Sequence, residues 1–171
     1  RRKYLIELKR LSNNTSFVID KMPLNFRYIG LIMSAFPEAK IVHVVRDPAA
    51  TCWSNYKNFF SNEGIGYCYD LNDLATYFGL YRDIMIFWKK EFGNQIYDLN
   101  YDKLTCYLKE ETAKLLDYLN LSWQIECMSP HKSKRYVATN SKFQVRKKVY
   151  KGSSQDWLKF EPFLKGAFDD L

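Results

Sequence analysis

Apolar positions recur along this chain in two periods, one helical and one extended. Tyr4, Leu5, Leu8 and Leu11 stand at helical spacing and predict a helix over residues 1–11 with a charged outer face. A polar turn follows over residues 12–16. Residues 17–19 read as a short strand, ended by Asp20, Lys21, Met22 and Pro23. Phe26, Tyr28, Ile29, Ile32, Met33 and Phe36 return to the helical period across residues 24–36, and Pro37 stops it. The run from Ile41 to Val45, cut off by Arg46, Asp47 and Pro48, predicts a buried strand, with a helix from Pro48 to about Phe60. Strand, helix, strand and helix with short connections imply a βαβ unit and a parallel sheet. After a loop over residues 61–72, a long helix is expected from about Leu71 to Glu91, with Leu74, Tyr77, Phe78, Tyr81, Ile84, Met85 and Trp88 on one face. Gly93 and Asn94 form its exit turn, and residues 95–99 read as another strand, left through Asn100, Tyr101, Asp102, Lys103 and Leu104. Residues 110–119 form an amphipathic helix with Ala113, Leu116 and Leu119 toward the core. Residues 130–151 lose all periodicity and are dense in Lys, Arg, Ser and Thr, which marks a functional or disordered stretch. Trp157, Phe160 and Phe163 restore a helix-like apolar spacing near the end.

The junction at residues 45–48 concentrates candidate chemistry. Pro48 suits a first helical position, where its missing N–H has no partner to lose. Asp47 is placed to cap that helix by accepting a backbone N–H. Arg46 then sits at the C-terminal end of a strand and Ser54 about two turns into the following helix. In open α/β sheets this end receives ligands, and helix N-termini favour anions. One phosphate between Arg46 and Ser54 could take a guanidinium fork and a hydroxyl hydrogen bond. Lys57, about one turn beyond Ser54, could add positive charge. A surface Arg–Asp pair with a solvent-facing serine is the competing reading of the same residues.

Composition changes this picture in two ways. A chain of 171 residues with 47% hydrophobic content fits one packed domain, spanning residues 1–171. No apolar run approaches the roughly 20 residues that span a bilayer. The formal net charge of +7 points to an anionic partner such as a nucleotide, a phosphate, a nucleic acid or a membrane surface. Cys52, Cys68, Cys106 and Cys127 have irregular spacing and no CxxC pair, and two histidines argue against a zinc site. Buried free thiols in a reducing, cytoplasmic setting are the expectation, with no metal.

Four ordered segments carry a resemblance: DKMPLNF, FPEAKIVHVVRDPAATCWSNY, LNYDKL and QVRKKVYKGSSQDWLKF. Together they resemble the sulfotransferase family, and most of all its bacterial type associated with tetratricopeptide repeats, a relative of tyrosylprotein sulfotransferases. The resemblance implies a P-loop-NTPase-like α/β fold, a parallel sheet flanked by helices. It implies transfer of a sulfuryl group from 3′-phosphoadenosine 5′-phosphosulfate to a hydroxyl or amine acceptor (a carbohydrate, a peptide tyrosine or a small molecule), releasing adenosine 3′,5′-bisphosphate. The family's 3′-phosphate ligands fall on Arg46 and Ser54. Where tyrosylprotein-type relatives place a second arginine, this chain has Asn58, next to Lys57. The family's catalytic lysine falls on Lys21, where a cation could neutralise charge building on the bridging oxygen. The histidine that cytosolic relatives carry two residues later is Pro23 here, which does not support histidine-base chemistry. Tyr101 matches an adenine-proximal tyrosine. Ser141, Gln144, Val145, Arg146 and Lys147 match a loop that folds over the nucleotide, and Lys151 with Gly152 resembles a lysine–glycine pair of that loop. Asp156 stands where relatives often carry a basic residue before the tail tryptophan.

One family feature is not found. A Gly-rich loop after the first strand, whose N–H groups cradle the 5′-phosphosulfate, is expected ahead of residue 17. Neither Gly30 nor Gly64 follows a strand. The acidic base of the tyrosylprotein-type relatives lies just after that loop. The expectation is an N-terminally incomplete sulfotransferase domain that retains the 3′-phosphate half of the site. Two other classes share part of the pattern. A basic nucleic-acid-binding module would use the charge and the aromatics, and a P-loop kinase relative would share the architecture.

Overall fold

The structure is a computed structural model that describes residues 1–12, 15–60, 64–134 and 143–171. Its elements are α1 (Arg2–Leu11), α2 (Ile29–Ala35), β1 (Ile41–Val45), α3 (Pro48–Tyr56), α4 (Leu71–Phe92), β2 (Ile96–Asn100), α5 (Tyr101–Cys106) and α6 (Leu108–Leu119), joined by short 3₁₀ turns. The fold is mixed α/β and mostly helical, with one two-stranded parallel sheet among the described residues. β1 and β2 pair from Ile41 with Ile96 to Val45 with Asn100. A parallel pair needs a long crossover; here α3 and α4 supply it.

Local chemistry sets the element ends. Asp47 Oδ1 accepts from the Ala50 N–H at 2.7 Å and Pro48 opens α3, as the spacing predicts. Asp70 caps α4 through the N–H groups of Asn72 and Asp73 at 2.8 and 3.0 Å, and Gly93 ends it at φ +35°. Asn100 Oδ1 caps α5 on the Lys103 N–H at 2.8 Å.

Two apolar clusters hold these elements. One joins Ile29, Met33, Met85 and Ile96 with Phe26, Ile41, Tyr81 and Trp88, and so fixes α2 and α4 on one face of the sheet. The other joins Ala49 and Cys52 of α3, Cys68 and Leu74 with Leu164 and Phe168 from the end of the chain. It clamps the C-terminal segment onto α3, where Trp53 stacks on Phe160 at 4.5 Å. On the other face of the sheet Tyr118 of α6 stacks on Tyr97 at 5.0 Å, and its hydroxyl donates to the Gln95 carbonyl at 2.7 Å.

A polar chain runs across the α4 face. His43 Nδ1 lies 2.8 Å from Asp98 Oδ1, Lys89 pairs with Asp98 Oδ2, and the Tyr81 hydroxyl meets His43 Nε2. A neutral imidazole with its proton on Nδ1 satisfies all of these contacts, donating to Asp98 and accepting from Tyr81. Burial holds its pKa below the ordinary histidine value and outweighs the pull of Asp98.

Several expectations are corrected. Residues 17–19 form no strand. Phe17, Val18 and Ile19 are exposed, and the βαβ unit runs through β1 and β2 instead. An extended apolar triplet becomes a strand only when a neighbour accepts its hydrogen bonds, and none of the described residues does. β1 is half-buried, not buried: Val42 and Val44 are exposed on the face opposite α4. The helix expected over residues 24–36 starts as a 3₁₀ turn, Pro23–Tyr28, before α2. The helix from Pro48 ends at Tyr56, short of Phe60. Residues 101–104, taken as a strand exit, belong to α5. Ala113 is exposed, and the side of α6 that turns inward buries Glu111, which Lys114 pairs at 2.5 Å. The apolar spacing of Trp157, Phe160 and Phe163 produces two 3₁₀ turns, Asp156–Lys159 and Glu161–Phe163, instead of an α-helix. All four cysteines are free, but only Cys52 and Cys68 are buried, while Cys106 is exposed. No helix among the described residues is long and apolar enough to cross a membrane.

Candidate functional site at the C-terminal edge of the strand pair

Parallel register sets the first neighbours. Because Val45 pairs with Asn100, the next residue of each strand, Arg46 and Tyr101, leaves the sheet side by side. The Arg46 guanidinium lies over the Tyr101 ring, 5.3 Å from its centroid. One residue further, the Asp47 N–H donates to Asp102 Oδ2 at 3.2 Å, which ties the start of α3 to the start of α5. Two capped helices therefore begin together at the edge where the strands end, with the Asp47 and Asp102 carboxylates accepting N–H groups at the start of α3.

The third side of the site comes from far along the chain. Arg46 Nε donates to Ser154 Oγ at 2.9 Å, and Nη2 donates to the Ser153 carbonyl at 2.7 Å. Ser153 Oγ donates to the Tyr101 hydroxyl at a long 3.4 Å. Gly152, at φ +88°, opens this turn, which Gln155 N–H closes on the Gly152 carbonyl at 3.0 Å. That φ lies in the left-handed region, where a Cβ is strained. A guanidinium carries five N–H donors; the two on Nη1 meet no acceptor among the described residues. The Arg46–Asp47 surface pair of the competing reading does not form among the described residues. Asp47 is committed to its cap and Arg46 to the tail.

Ser54 lies on the second turn of α3, half-buried, and its hydroxyl has no partner among the described residues. Lys57 caps the C-terminus of α3 and is exposed, and Asn58 donates its side-chain amide to the Ser54 carbonyl at 2.6 Å. Lys21 is exposed ahead of the Pro23–Tyr28 turn, and no hydrogen bond or ion pair ties it to the Arg46 cluster. Gln144, Val145 and Arg146 form an exposed 3₁₀ turn followed by Lys147, and Arg146 Nη1 donates to the Ser133 carbonyl. This turn therefore leans on the 130–133 segment and makes no hydrogen bond to Arg46. Lys151 is exposed and directly precedes Gly152. Ser141 lies outside the described residues. An open groove of about 360 Å³, with Lys132, Lys148 and His131 on its walls, lies along the same tail and includes neither Arg46 nor Tyr101. Among the described residues no group of three His, Cys, Asp or Glu side chains could hold a metal ion.

Thus the fold brings together Arg46 and Tyr101 and adds Ser153, Ser154 and Asp102, which the sequence reading did not single out. The signal for the serines was present: two small hydroxyl residues directly after a Lys–Gly pair and before Trp157. Asp102 was named only as part of the strand exit.

The sequence matches the sulfotransferase family over residues 1–125. The chain belongs to the sulfotransferase family. It is also similar to an uncharacterized protein of Aquifex aeolicus (strain VF5), 37% identical over 170 residues, which is 98% of this chain and 22% of that relative. The chain therefore spans about a fifth of the relative's length. Membership indicates sulfuryl transfer in general.

Proposed function

We propose that this chain is a sulfotransferase domain that uses 3′-phosphoadenosine 5′-phosphosulfate, and that Arg46 with Ser54 binds the nucleotide's 3′-phosphate. The observation that carries the reading is the Arg46 cluster. The guanidinium is fixed at the strand end by Tyr101 and the tail, yet among the described residues its two Nη1 N–H groups meet no acceptor. The Ser54 hydroxyl, without a partner among the described residues, supplies a further donor on α3. These donors fit a phosphate group, which wants several short charge-assisted hydrogen bonds.

The nucleotide, when bound, supplies the sulfuryl group. The chain's own residues bind and orient. Arg46 and Ser54 hold the 3′-phosphate, Tyr101 stands by the base, and Lys21 brings a cation to the leaving-group side. Gln144, Val145, Arg146, Lys147 and Lys151 lie on the segment that would close over the nucleotide, with Ser141 as a further member. In the reaction the donor's S–O bond breaks as sulfur bonds to an acceptor oxygen or nitrogen, whose proton is lost. The acceptor is a hydroxyl or amine compound. The parallel β1–β2 pair and its flanking helices form part of a P-loop-like architecture in this reading.

Isothermal titration with adenosine 3′,5′-bisphosphate tests it. Charge-assisted hydrogen bonds are worth about 1.5–3 kcal/mol each, so Arg46→Ala should weaken binding by about 10- to 100-fold or more. Unchanged affinity in Arg46→Ala would remove the assignment. Binding of ATP without binding of the bisphosphate would favour a phosphoryl-transfer enzyme.

A further inference from the structure

We infer that Ser154 is a positioning residue for Arg46, and that docking of the 152–155 turn and binding of a 3′-phosphate stabilise one another. This rests on Arg46 being the 3′-phosphate ligand.

Arginine side chains carry about 2 kcal/mol of rotamer entropy, which a ligand must otherwise overcome on binding. Here that freedom is already removed. Ser154, only 4% exposed, accepts the Nε–H at 2.9 Å; the Ser153 carbonyl accepts from Nη2 at 2.7 Å; Tyr101 supports the flat face. These contacts use one edge of the guanidinium and leave Nη1 for a ligand. A serine hydroxyl buried this deeply requires a partner, and among the described residues Arg46 supplies it.

The turn also lies on a boundary. Behind it, the Trp53–Phe160 stack and buried Leu164 and Phe168 anchor the chain to α3. Ahead of it, residues 143–151 are exposed throughout. Gly152, at φ +88°, is the junction between the anchored and the exposed part. A phosphate on Nη1 needs the guanidinium held in the same orientation that its bonds to Ser153 and Ser154 fix, so the turn and the phosphate share one cost of ordering the side chain. By linkage, whatever factor the docked turn adds to phosphate affinity, the phosphate adds to docking of the turn.

The test compares adenosine 3′,5′-bisphosphate with adenosine 5′-monophosphate, which lacks the 3′-phosphate, by titration calorimetry on the full chain. Ser154→Ala should weaken the bisphosphate by about three- to tenfold, one lost hydrogen bond, and leave the monophosphate unchanged. A general loss of structure would weaken both. Gly152→Ala, which strains the turn without touching the hydroxyl, should weaken the bisphosphate in the same selective way. In hydrogen exchange, the bisphosphate should protect amides 152–157 in the wild-type chain, and less so in Ser154→Ala. If Arg46→Ala narrows the preference for the bisphosphate while Ser154→Ala keeps the wild-type ratio, the positioning role is overturned and the phosphate assignment stands. If Arg46→Ala also keeps that ratio, the assignment fails and the linkage with it. Exchange at 152–157 that ignores the bisphosphate also overturns the linkage.

Discussion

Gly30 shows how a single residue can be chosen by its neighbour. A Cβ built there would lie 2.8 Å from Trp88 Cη2 and 3.0 Å from Cζ3. The indole cannot retreat easily, because its Nε1–H donates to the Phe26 carbonyl at 2.8 Å and its ring packs on Phe87 and Phe92. In an open helix Gly→Ala gains up to about 1 kcal/mol; here overpacking, typically about 1–3 kcal/mol, wins. Gly30→Ala should therefore lower stability by about 1–2 kcal/mol, read from the urea midpoint with an unchanged slope. Nothing local marks Gly30 for this role, since Trp88 lies 58 positions away on α4. Arg46 is different. Its place after an apolar run and before Asp-Pro was readable from adjacent residues, whereas its partners Ser153 and Ser154 were not, because the tail reaches it only through the second apolar cluster.

At the scale of elements, α3 was the most legible. A β-branched run, an Asp cap and Pro at the first position are all short-range signals, and they set the strand end and helix start that the structure adopts. Asp47→Ala should cost about 1 kcal/mol, by exposing an unpaired N–H at the start of α3, whereas Asp47→Asn keeps a capping oxygen and should cost only a few tenths. Chemical denaturation of both variants checks this. Residues 17–19 had an equally apolar strand pattern and did not become a strand. A helix satisfies its own backbone, but a strand depends on a neighbour, so strand formation is a non-local decision. The same reasoning covers the 3₁₀ turn at Pro23–Tyr28, where the helical period of the side chains was correct and the backbone tightened.

At the scale of the molecule, the polar chain on the α4 face makes stability depend on pH. His43 faces Asp98 from β2 and Lys89 and Tyr81 from α4. Burial lowers its pKa in the fold, so below about pH 6.5 the unfolded chain binds more protons there. Stability should be fully present above that pH and fall on acidification. Burial alone would raise Asp98, but Lys89 and His43 overcome it and hold it below the ordinary aspartate value. It adds a loss of the same sign at lower pH. Burial pushes the Tyr81 hydroxyl up to about 12, which keeps it a donor to His43 throughout. Urea midpoints should fall between pH 7.5 and 5.0 in the wild type, and His43→Gln should flatten that decline.

The order of side chains along the chain was enough to determine the helices α1, α3, α4 and α6, the strand cores 41–45 and 96–99, and an arginine at a strand end beside a capped helix. These depend on periodicity, caps and breakers within a few residues of one another. Tertiary structure alone decided which extended segments paired, which face of β1 stayed open, and which distant groups closed on Arg46. Those outcomes depend on hydrogen bonds and apolar contacts between residues 50 to 110 positions apart, such as Arg46 with Ser154 and Asp47 with Asp102. No local pattern encodes such meetings, because they form only when the two apolar clusters bring the elements together.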